Sequence, residues 1–252
     1  MNLSRRKFLT YSTSGAVALS SIPAIVTSSI APVKKSTKYP LFKKGDTVLF
    51  QGDSITDSGR EKEKELPNNP HSFGYGYALF AASTLLYELP EKELLIYNRG
   101  ISGNKVYQLA DRWEKDCLNL KPDILSILIG INDYWHTRNG RYNGTVEVYE
   151  TDYRALLKRT KENLPNVKLV ICQPFAVLNA STVDESWVKP VKEYQKVAKK
   201  LAHEFNAIWI PYQNVFDEAL NYAPATYWTP DGVHPTLAGA KLMAEAWLRA
   251  VQ

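Results

Sequence analysis

A serine, a histidine and an aspartate in this sequence have the types and the surroundings that acyl transfer requires. Ser54 follows an apolar run and a glycine. Asp231 and His234 lie three residues apart, on a stretch whose glycine and proline disfavour a helix. A serine hydroxyl becomes an effective nucleophile when a base accepts its proton and a third group orients that base. The pattern predicts Ser54 as nucleophile, His234 as base and Asp231 as orienting carboxylate, although each residue alone is also typical of a turn or a cap.

Acyl transfer also needs hydrogen-bond donors aimed at the oxyanion of the tetrahedral intermediate, and the loss of one donor costs about 3 kcal/mol. Three candidate donors follow successive apolar runs: the main-chain amide of Ser54, the main-chain amide of Gly100 and the side-chain amide of Asn132. Each alone is equally typical of a loop. Their order along the chain, together with the pair at 231 and 234, favours one assembled active site.

Side chains near these motifs are candidates for binding the substrate. Aromatic rings with polar neighbours suit the faces of sugar rings, whereas a lipid substrate would favour a broad apolar patch. Residues 57–77 form a polar insertion after the nucleophile, which is interpreted either as a flap over the cleft or as solvated surface. The candidate substrate-binding residues are Asp53, Trp135, His136, Tyr227 and Trp228.

The histidines give no support to a metal site. His71, His136, His203 and His234 show none of the spacings typical of metal ligands, and no glycine-rich phosphate-binding loop precedes a helix. We therefore expect no bound metal ion. His203 lies in a helical pattern and is expected at the surface.

Four blocks of this sequence resemble those of the SGNH hydrolases, also called GDSL-type esterases and lipases. The blocks are GDSI at 52–55, NRGISG at 98–103, GIND at 130–133 and DGVHP at 231–235, with isoleucine where the family's name has leucine. The resemblance implies a flavodoxin-like sheet, a Ser–His–Asp triad, an oxyanion hole and no metal or organic cofactor. Exported members of this family with a similar pattern often remove acetyl groups from polysaccharides, and the resemblance implies the same activity for this chain.

The resemblance therefore predicts a serine esterase that hydrolyses a small acyl ester, with an O-acetyl group on a carbohydrate as the expected substrate. Other esterases of the family act on lysophospholipids, thioesters or aryl esters, and a preference for longer acyl chains would favour one of these. A non-catalytic, exported carbohydrate-binding protein is a further alternative. Such a protein should have lost Ser54, Asp231 or His234, and this chain has all of them.

Short apolar runs that alternate with amphipathic segments would position these motifs. Helical spacing recurs at 106–117, 149–164, 191–205 and from 236 onwards. Strands that alternate with helices indicate a parallel sheet covered on both faces, with polar clusters at the carboxyl ends of its strands. We predict one three-layer α/β/α domain over residues 36–252, with about five strands. The predicted strands are 46–51, 94–98, 124–129, 168–173 and 207–212.

The charge of the chain does not indicate a nucleic-acid partner. Three of the basic residues behind the formal net charge of +5 lie at 5–7, and the remainder is 28 basic against 26 acidic residues. No cluster of lysine or arginine lies among aromatic residues, as a phosphate-binding groove would require. Hydrophobic residues make up 44% of the chain, a composition that argues against intrinsic disorder.

The first 35 residues are expected to be an export signal and not part of the fold. SRRKFL at 4–9 resembles a twin-arginine motif, and residues 11–32 carry no charge and are less apolar than a membrane span. An ordinary secretory signal is the alternative interpretation. Both interpretations predict an exported protein, in the periplasm, at the cell surface or secreted, with the export machinery as a partner and no stable membrane span.

The chain has two cysteines. Cys117 lies on the apolar side of a helical pattern and Cys172 lies inside a strand pattern. These positions favour two buried thiols over a disulfide.

Overall fold

The computed structural model describes residues 37–252 of the chain. The export signal expected at residues 1–35 lies outside the described residues and stays a prediction. Over the described residues, no helix combines the length and the apolar character needed to cross a membrane.

A parallel sheet forms the centre of the described region. Its strands are β1 Thr47–Gly52, β2 Leu95–Asn98, β3 Ile124–Leu128, β4 Lys168–Cys172 and β5 Ile208–Ile210. They lie in the order β2-β1-β3-β4-β5, which is the flavodoxin-like order, and every neighbouring pair is parallel. The prediction of a three-layer α/β/α fold with about five strands is confirmed.

Helices cover both faces of this sheet. They are α1 Ser54–Asp57, α2 Tyr77–Glu88, α3 Val106–Asp111, α4 Trp113–Asp116, α5 Ile131–Arg138, α6 Val146–Asn163, α7 Glu185–Glu204, α8 Tyr212–Ala219, α9 Ala225–Trp228 and α10 Leu237–Ala250. Helix α2 packs against α10, and α6 packs against α3 and α7. Because parallel crossovers are right-handed, α2 and α10 lie on one face of the sheet and α3, α6 and α7 on the other.

Two buried tryptophans join the helical layers to the rest of the core. Trp247 of α10 packs its ring 5.0 Å from that of Phe50 in β1 and donates its indole N–H to the Ser126 hydroxyl in β3 at 2.9 Å. Trp113 of α4 donates to the Thr160 hydroxyl of α6 at 2.9 Å. Each indole thus has its polar atom satisfied inside the core, as buried tryptophans require.

The helix predicted at 106–117 is interrupted. The backbone leaves the helix at Arg112, between α3 and α4, where φ is −104° and ψ is 6°. The Arg112 guanidinium donates to Asn104 Oδ1 at 2.9 Å and to the Arg99 carbonyl at 2.8 Å. These bonds tie the interruption to the loop after β2, a contact that the helical spacing of the apolar residues could not reveal.

The insertion at 57–77 is bonded to the sheet. Asn68 donates its main-chain N–H to the Ile96 carbonyl at 3.0 Å and accepts the Ile96 N–H on Oδ1 at 2.9 Å. Its side-chain amide also donates to the Leu94 carbonyl at 2.7 Å. The structure therefore holds this segment along β2, the edge strand of the sheet.

Cys117 and Cys172 are both buried free thiols, so the prediction of two buried thiols is confirmed. His203 is exposed near the end of α7, as expected from its position in the helical pattern.

Candidate active site

Ser54 lies where β1 gives way to the short helix α1. Asp53 caps this helix: its Oδ1 accepts the N–H of Ile55 at 3.0 Å, and its carbonyl accepts the N–H of Asp57 at 2.8 Å. Ser54 is only half-buried, whereas Asp53 and Ile55 are buried. The cap therefore fixes the backbone of Ser54 at the carboxyl edge of the sheet, where its hydroxyl is accessible.

The structure brings Ser54, His234 and Asp231 into one hydrogen-bonded chain. Ser54 Oγ lies 2.8 Å from His234 Nε2, and His234 Nδ1 lies 2.6 Å from Asp231 Oδ2. An ionised carboxylate can only accept a hydrogen bond, so Nδ1 carries the ring proton of the neutral imidazole. The lone pair of Nε2 is then free to accept the hydroxyl proton of Ser54, which is the arrangement a general base needs.

Asp231 also organises the loop on which His234 lies. Its Oδ1 accepts the main-chain N–H of Val233 at 2.9 Å and that of His234 at 2.7 Å, while Oδ2 contacts the imidazole. A single carboxylate thus holds both the backbone and the ring of the histidine. The sequence spacing of Asp231 and His234 is short enough for this local arrangement.

Gly232 allows the same loop to pack tightly against the segment after β4. Its φ is +90°, and a Cβ at this position would lie 2.5 Å from Val183 Cγ2 and 2.6 Å from the Val177 carbonyl. The Gly232 carbonyl accepts the N–H of Val177 at 2.8 Å. A side chain at 232 would therefore be strained and would push the Asp231–His234 loop away from its support.

The two acid–base groups perturb each other in opposite directions. The hydrogen bond that the His234 ring donates to Asp231 raises the pKa of His234 above its usual 6.5, against the opposing effect of burial. Burial alone would raise the pKa of Asp231, but hydrogen bonds from the His234 ring and from the amides of His234 and Val233 outweigh it and lower that pKa. At neutral pH Asp231 is therefore ionised and stabilises positive charge on the imidazole.

The candidate oxyanion donors differ in availability. Ser54 is the first residue of α1, so its main-chain N–H has no partner within that helix. Asn132 is 5% exposed and donates from Nδ2 to the Asn104 carbonyl at 3.3 Å, which leaves the second hydrogen of its amide. The main-chain N–H of Gly100, in contrast, donates to Asn98 Oδ1 at 2.9 Å.

Gly100 is required for packing against the nucleophile segment. A Cβ at this position would lie 2.4 Å from the Asp57 nitrogen and 2.7 Å from the Thr56 carbonyl carbon. The Gly100 carbonyl also accepts Nε of the buried Arg60 at 2.7 Å. The absence of a side chain at Gly100 thus lets its loop approach α1, in addition to any closeness to substrate.

Asp57 ties the glycine loop to the nucleophile helix. Its Oδ2 accepts both the main-chain N–H of Ser102 at 2.8 Å and the Ser102 hydroxyl at 2.7 Å, and Lys62 forms an ion pair with it at 3.0 Å. Because α1 carries Ser54 and this loop carries Gly100, the carboxylate fixes the two motifs relative to each other.

Asp53 does not line the cleft. The residue is 0% exposed, and burial raises the pKa of its carboxyl to about 7 against the effect of its hydrogen bond from Ile55. It has no exposed atom with which to contact a substrate, so the expectation that Asp53 binds substrate is wrong. Asp53 serves instead as the cap of α1, a role that a sequence pattern does not distinguish from that of a ligand-binding group.

Trp135 lies beside the proposed base. Its ring centroid is 6.2 Å from that of His234 and 5.3 Å from that of Trp187, and the residue is half-buried. A partly exposed indole at this distance from His234 is suited to contact a group bound at Ser54. The structure therefore keeps Trp135 as a candidate substrate-binding residue.

His136 faces the loop before α3 and bonds to a lysine. Lys105 is 6% exposed, and its Nζ lies 3.0 Å from His136 Nδ1. An ammonium group can only donate, so Nδ1 accepts and the Nε2 of the neutral ring carries the hydrogen. Burial, the Lys105 charge and the Arg141 charge all lower the pKa of His136. His136 is thereby a neutral ring with a donor on Nε2.

Tyr227 and Trp228 lie together on α9. Tyr227 is 56% exposed, and its ring packs edge-on against Trp228 at 4.9 Å. The Trp228 indole N–H donates to the Ala219 carbonyl at 3.1 Å, so it is already engaged within the protein. Of the pair, Tyr227 offers the exposed ring, and Trp228 supports it.

Two residues near the site were not predicted from the sequence. Lys105 is enclosed by the rings of Tyr107 and Tyr142, which lie 5.5 Å and 5.4 Å from its Nζ. Trp187 lies on α7 and carries the indole against which Trp135 packs. An isolated lysine and a periodic apolar position give no functional signal, because only the packing of distant segments brings them to the site.

Comparison with known proteins assigns the chain to a family. Residues 50–242 match the GDSL-like lipase/acylhydrolase family. An acetylxylan esterase of Geobacillus stearothermophilus is 36% identical over 214 residues, covering 82% of this chain and 94% of that protein.

Solved structures agree with this assignment. A putative GDSL-like lipase from Parabacteroides merdae is 54% identical with a TM-score of 0.82, over 83% of this chain and 97% of that one. The acetylxylan esterase of Geobacillus stearothermophilus is 32% identical in the structural comparison with a TM-score of 0.75, over 83% of this chain and 95% of that one. Solved catalytic mutants of that esterase replace a serine or a histidine by alanine. The chain is a carboxylic ester hydrolase and belongs to the GDSL-like lipase/acylhydrolase family.

Proposed function

We propose that this enzyme removes O-acetyl groups from a carbohydrate, with Ser54 as nucleophile, His234 as general base and acid, and Asp231 as the group that orients the histidine. The observation that carries the chemistry is the continuous hydrogen-bonded chain of these side chains, with separations of 2.8 Å and 2.6 Å. No metal ion or organic cofactor is needed for this reaction, because the nucleophile, the base and the oxyanion donors are protein groups.

The proposed reaction has two stages. Ser54 Oγ attacks the carbonyl carbon of the acetyl ester while its proton passes to His234 Nε2. The bond between that carbon and the sugar oxygen then breaks, and the imidazolium returns the proton to the departing alcohol. In the second stage a water molecule attacks the acetyl-Ser54 ester and gives its proton to His234. Acetic acid leaves and loses its proton to the solvent, and the proton on His234 returns to Ser54 Oγ.

The oxyanion of both tetrahedral intermediates would be bound by the main-chain N–H of Ser54 and by the second amide hydrogen of Asn132. Gly100 remains the third proposed donor, and it would have to share its hydrogen with Asn98, to which it donates at 2.9 Å. Of the expected donors, Gly100 should therefore contribute least to stabilising the intermediate.

A carbohydrate substrate is supported by the surroundings of Ser54. Trp135 offers a partly exposed indole beside His234, and His136 offers a neutral N–H donor held by Lys105. Rings that stack on sugar faces, combined with a few fixed hydrogen-bonding groups, are the chemistry of sugar recognition. The relative with 36% identity is an acetylxylan esterase, which supports an acetylated polysaccharide as the substrate.

The acyl preference is tested with a series of aryl esters from acetate to dodecanoate. A Ser54-dependent rate that falls steeply after acetate is expected, because a small acyl pocket excludes longer chains. Release of acetate from acetylated xylan is then measured directly. A rate that peaks at longer acyl chains would contradict the proposal and favour a lysophospholipase or a thioesterase of the same family.

Trp135→Ala is expected to raise KM for an acetylated oligosaccharide by about five- to tenfold, since an aromatic contact contributes about 1 kcal/mol. KM for a small aryl acetate should rise much less, because that substrate has no sugar ring to place on the indole. Tyr87→Ala serves as the control, because Tyr87 is an aromatic residue of α2 with 73% exposure. Equal increases for both substrates would argue against sugar stacking on Trp135.

A further inference from the structure

A cavity lies at the carboxyl end of β4, beyond the loop that carries Asp231 and His234. Its volume is about 450 Å³, within the range of small-molecule sites in proteins. It is separate from the hydrogen-bonded chain of the active site, because Ser54, Asp231 and His234 are not among its lining residues. In open α/β sheets this edge is where ligands bind.

Gln173 supplies an unused hydrogen-bonding group to this cavity. It directly follows β4, lines the cavity and is 9% exposed. Its Oε1 accepts the main-chain N–H of Gln213 at 3.1 Å. Within residues 37–252 its NH2 group forms no hydrogen bond, and this group is accessible to solvent. A buried amide of this kind presents two donors to whatever enters the cavity.

A network of amides holds this wall of the cavity in place. The Gln213 side chain accepts on Oε1 from Gln195 Nε2 at 2.9 Å and from the Ala176 N–H at 3.0 Å. Its Nε2 donates to Asp217 Oδ1 at 2.9 Å. The network joins α7, α8 and the segment after β4, so the polar groups that line the cavity are fixed before a ligand arrives.

The remaining lining indicates the chemical class of the ligand. The lining includes the apolar side chains of Leu178, Val188 and Leu220 as well as the polar ones. Lys192 and Asp217 also line the cavity, and their opposite charges give no preference for an anion. An acyl chain would leave the Gln173 amide unpaired at a cost, whereas a sugar ring offers both hydroxyl groups and apolar C–H faces. The lining therefore suits a neutral, hydroxylated ligand.

Ring contacts connect the cavity to the active site. Trp187 lines the cavity and packs 5.3 Å from Trp135, whose ring is 6.2 Å from His234. Val183 also lines the cavity and contacts the position of Gly232, in the loop between Asp231 and His234. Trp187 and Val183 are both buried, so they form a shared wall between the cavity and the active site, and the two sites are neighbours at this edge of the sheet.

We propose that this cavity is a distal subsite for a non-acetylated sugar residue of the same carbohydrate whose acetyl ester is bound at Ser54. Gln173 would donate to hydroxyl groups of that residue, and Val188 and Leu220 would contact its C–H groups. The inference rests on the proposed function, because it takes the substrate to be an oligosaccharide or a longer polymer.

Binding is tested by ¹H–¹⁵N NMR of the Ser54→Ala protein titrated with xylobiose, cellobiose and mannobiose. The side-chain NH2 signal of Gln173 is expected to shift with at least one of them, with millimolar affinity. Val188→Trp should weaken this binding at least about tenfold, equivalent to 1.4 kcal/mol, because the indole fills the cavity. Val148→Trp is the matched control. Val148 is a valine on α6 that is 38% exposed, and Val188 is 43% exposed.

Several results would overturn the inference. One is that none of the disaccharides, at high millimolar concentration, shifts the Gln173 side-chain signal. Another is that sodium octanoate shifts this signal and the disaccharides do not. In kinetics, Val188→Trp should raise KM for an acetylated tetrasaccharide more than KM for an aryl acetate. An equal effect on both substrates also contradicts a distal subsite. Failure of the wild-type enzyme to deacetylate oligosaccharides would instead contradict the proposed function, and the NMR titration distinguishes the two failures.

Discussion

Ser54→Ala is expected to lower kcat for aryl acetate hydrolysis by about 10⁵- to 10⁶-fold, the loss typical of removing the nucleophile of a Ser–His–Asp triad. The variant has no oxygen with which to form the acyl-enzyme. What remains should come from the oxyanion donors and substrate binding, which still accelerate attack by water. Steady-state rates of the purified variant, checked for trace wild-type contamination, measure the effect.

The fold should tolerate this change, because Asp53 and not Ser54 supplies the cap of α1. Thermal unfolding should therefore be similar for the variant and the wild type. Ser83→Ala is the matched control, since Ser83 is an exposed serine on α2 whose hydroxyl donates to the Phe80 carbonyl of the same helix. If folded Ser54→Ala protein kept turnover near that of the wild type, another residue would have to be the nucleophile.

His234→Ala is expected to lower kcat by a factor similar to that of Ser54→Ala, on the order of 10⁵ or more. Without the imidazole, the Ser54 hydroxyl loses the base to which it is hydrogen-bonded, and the leaving alcohol loses the same group as its acid. Asp231→Asn should cost less, about 10³- to 10⁴-fold, because Ser54 and the imidazole both remain. His203→Ala is the control, because this exposed histidine of α7 lies outside the site.

The pH dependence of the same pair distinguishes a base from a structural histidine. The pKa of His234 is raised by the hydrogen bond that its ring donates to Asp231, so kcat/KM should fall with decreasing pH from a point above the usual 6.5. The neutral imidazole is the active form, and protonation removes the base. In Asp231→Asn the pKa of His234 loses this support and drops, so the acid limb of the residual activity should move to lower pH. An acid limb that stays in place would contradict this role of Asp231.

Much of the fold was predictable because buried parallel strands are continuous apolar runs. The limits predicted for β1 to β4 differ by no more than one residue at either end from those observed. The fifth strand was predicted at 207–212 but occupies only Ile208–Ile210, because Pro211 follows it and α8 begins at Tyr212. Apolar character alone does not reveal where a strand gives way to a helix.

The active-site residues were partly predictable for a different reason. Ser54, Asp231 and His234 lie in distinctive surroundings, His234 is one of four histidines, and the ends of parallel strands meet at one edge of the sheet. Gln173, in contrast, is one glutamine after an apolar run. Its significance depends on α7 and α8 closing a cavity around it, and the sequence contains no local sign of that packing.

The bonds between Asn68 and β2 also limit how these molecules can associate. An edge strand with free N–H and C=O groups is a template on which a strand of another molecule can add. At this edge the main-chain N–H and C=O of Ile96 are both taken by Asn68, and at the opposite edge β5 has only three residues. Intermolecular strand addition, the first step of β-type aggregation, is thereby disfavoured at both ends of the sheet, which should help the folded enzyme stay dispersed at high concentration.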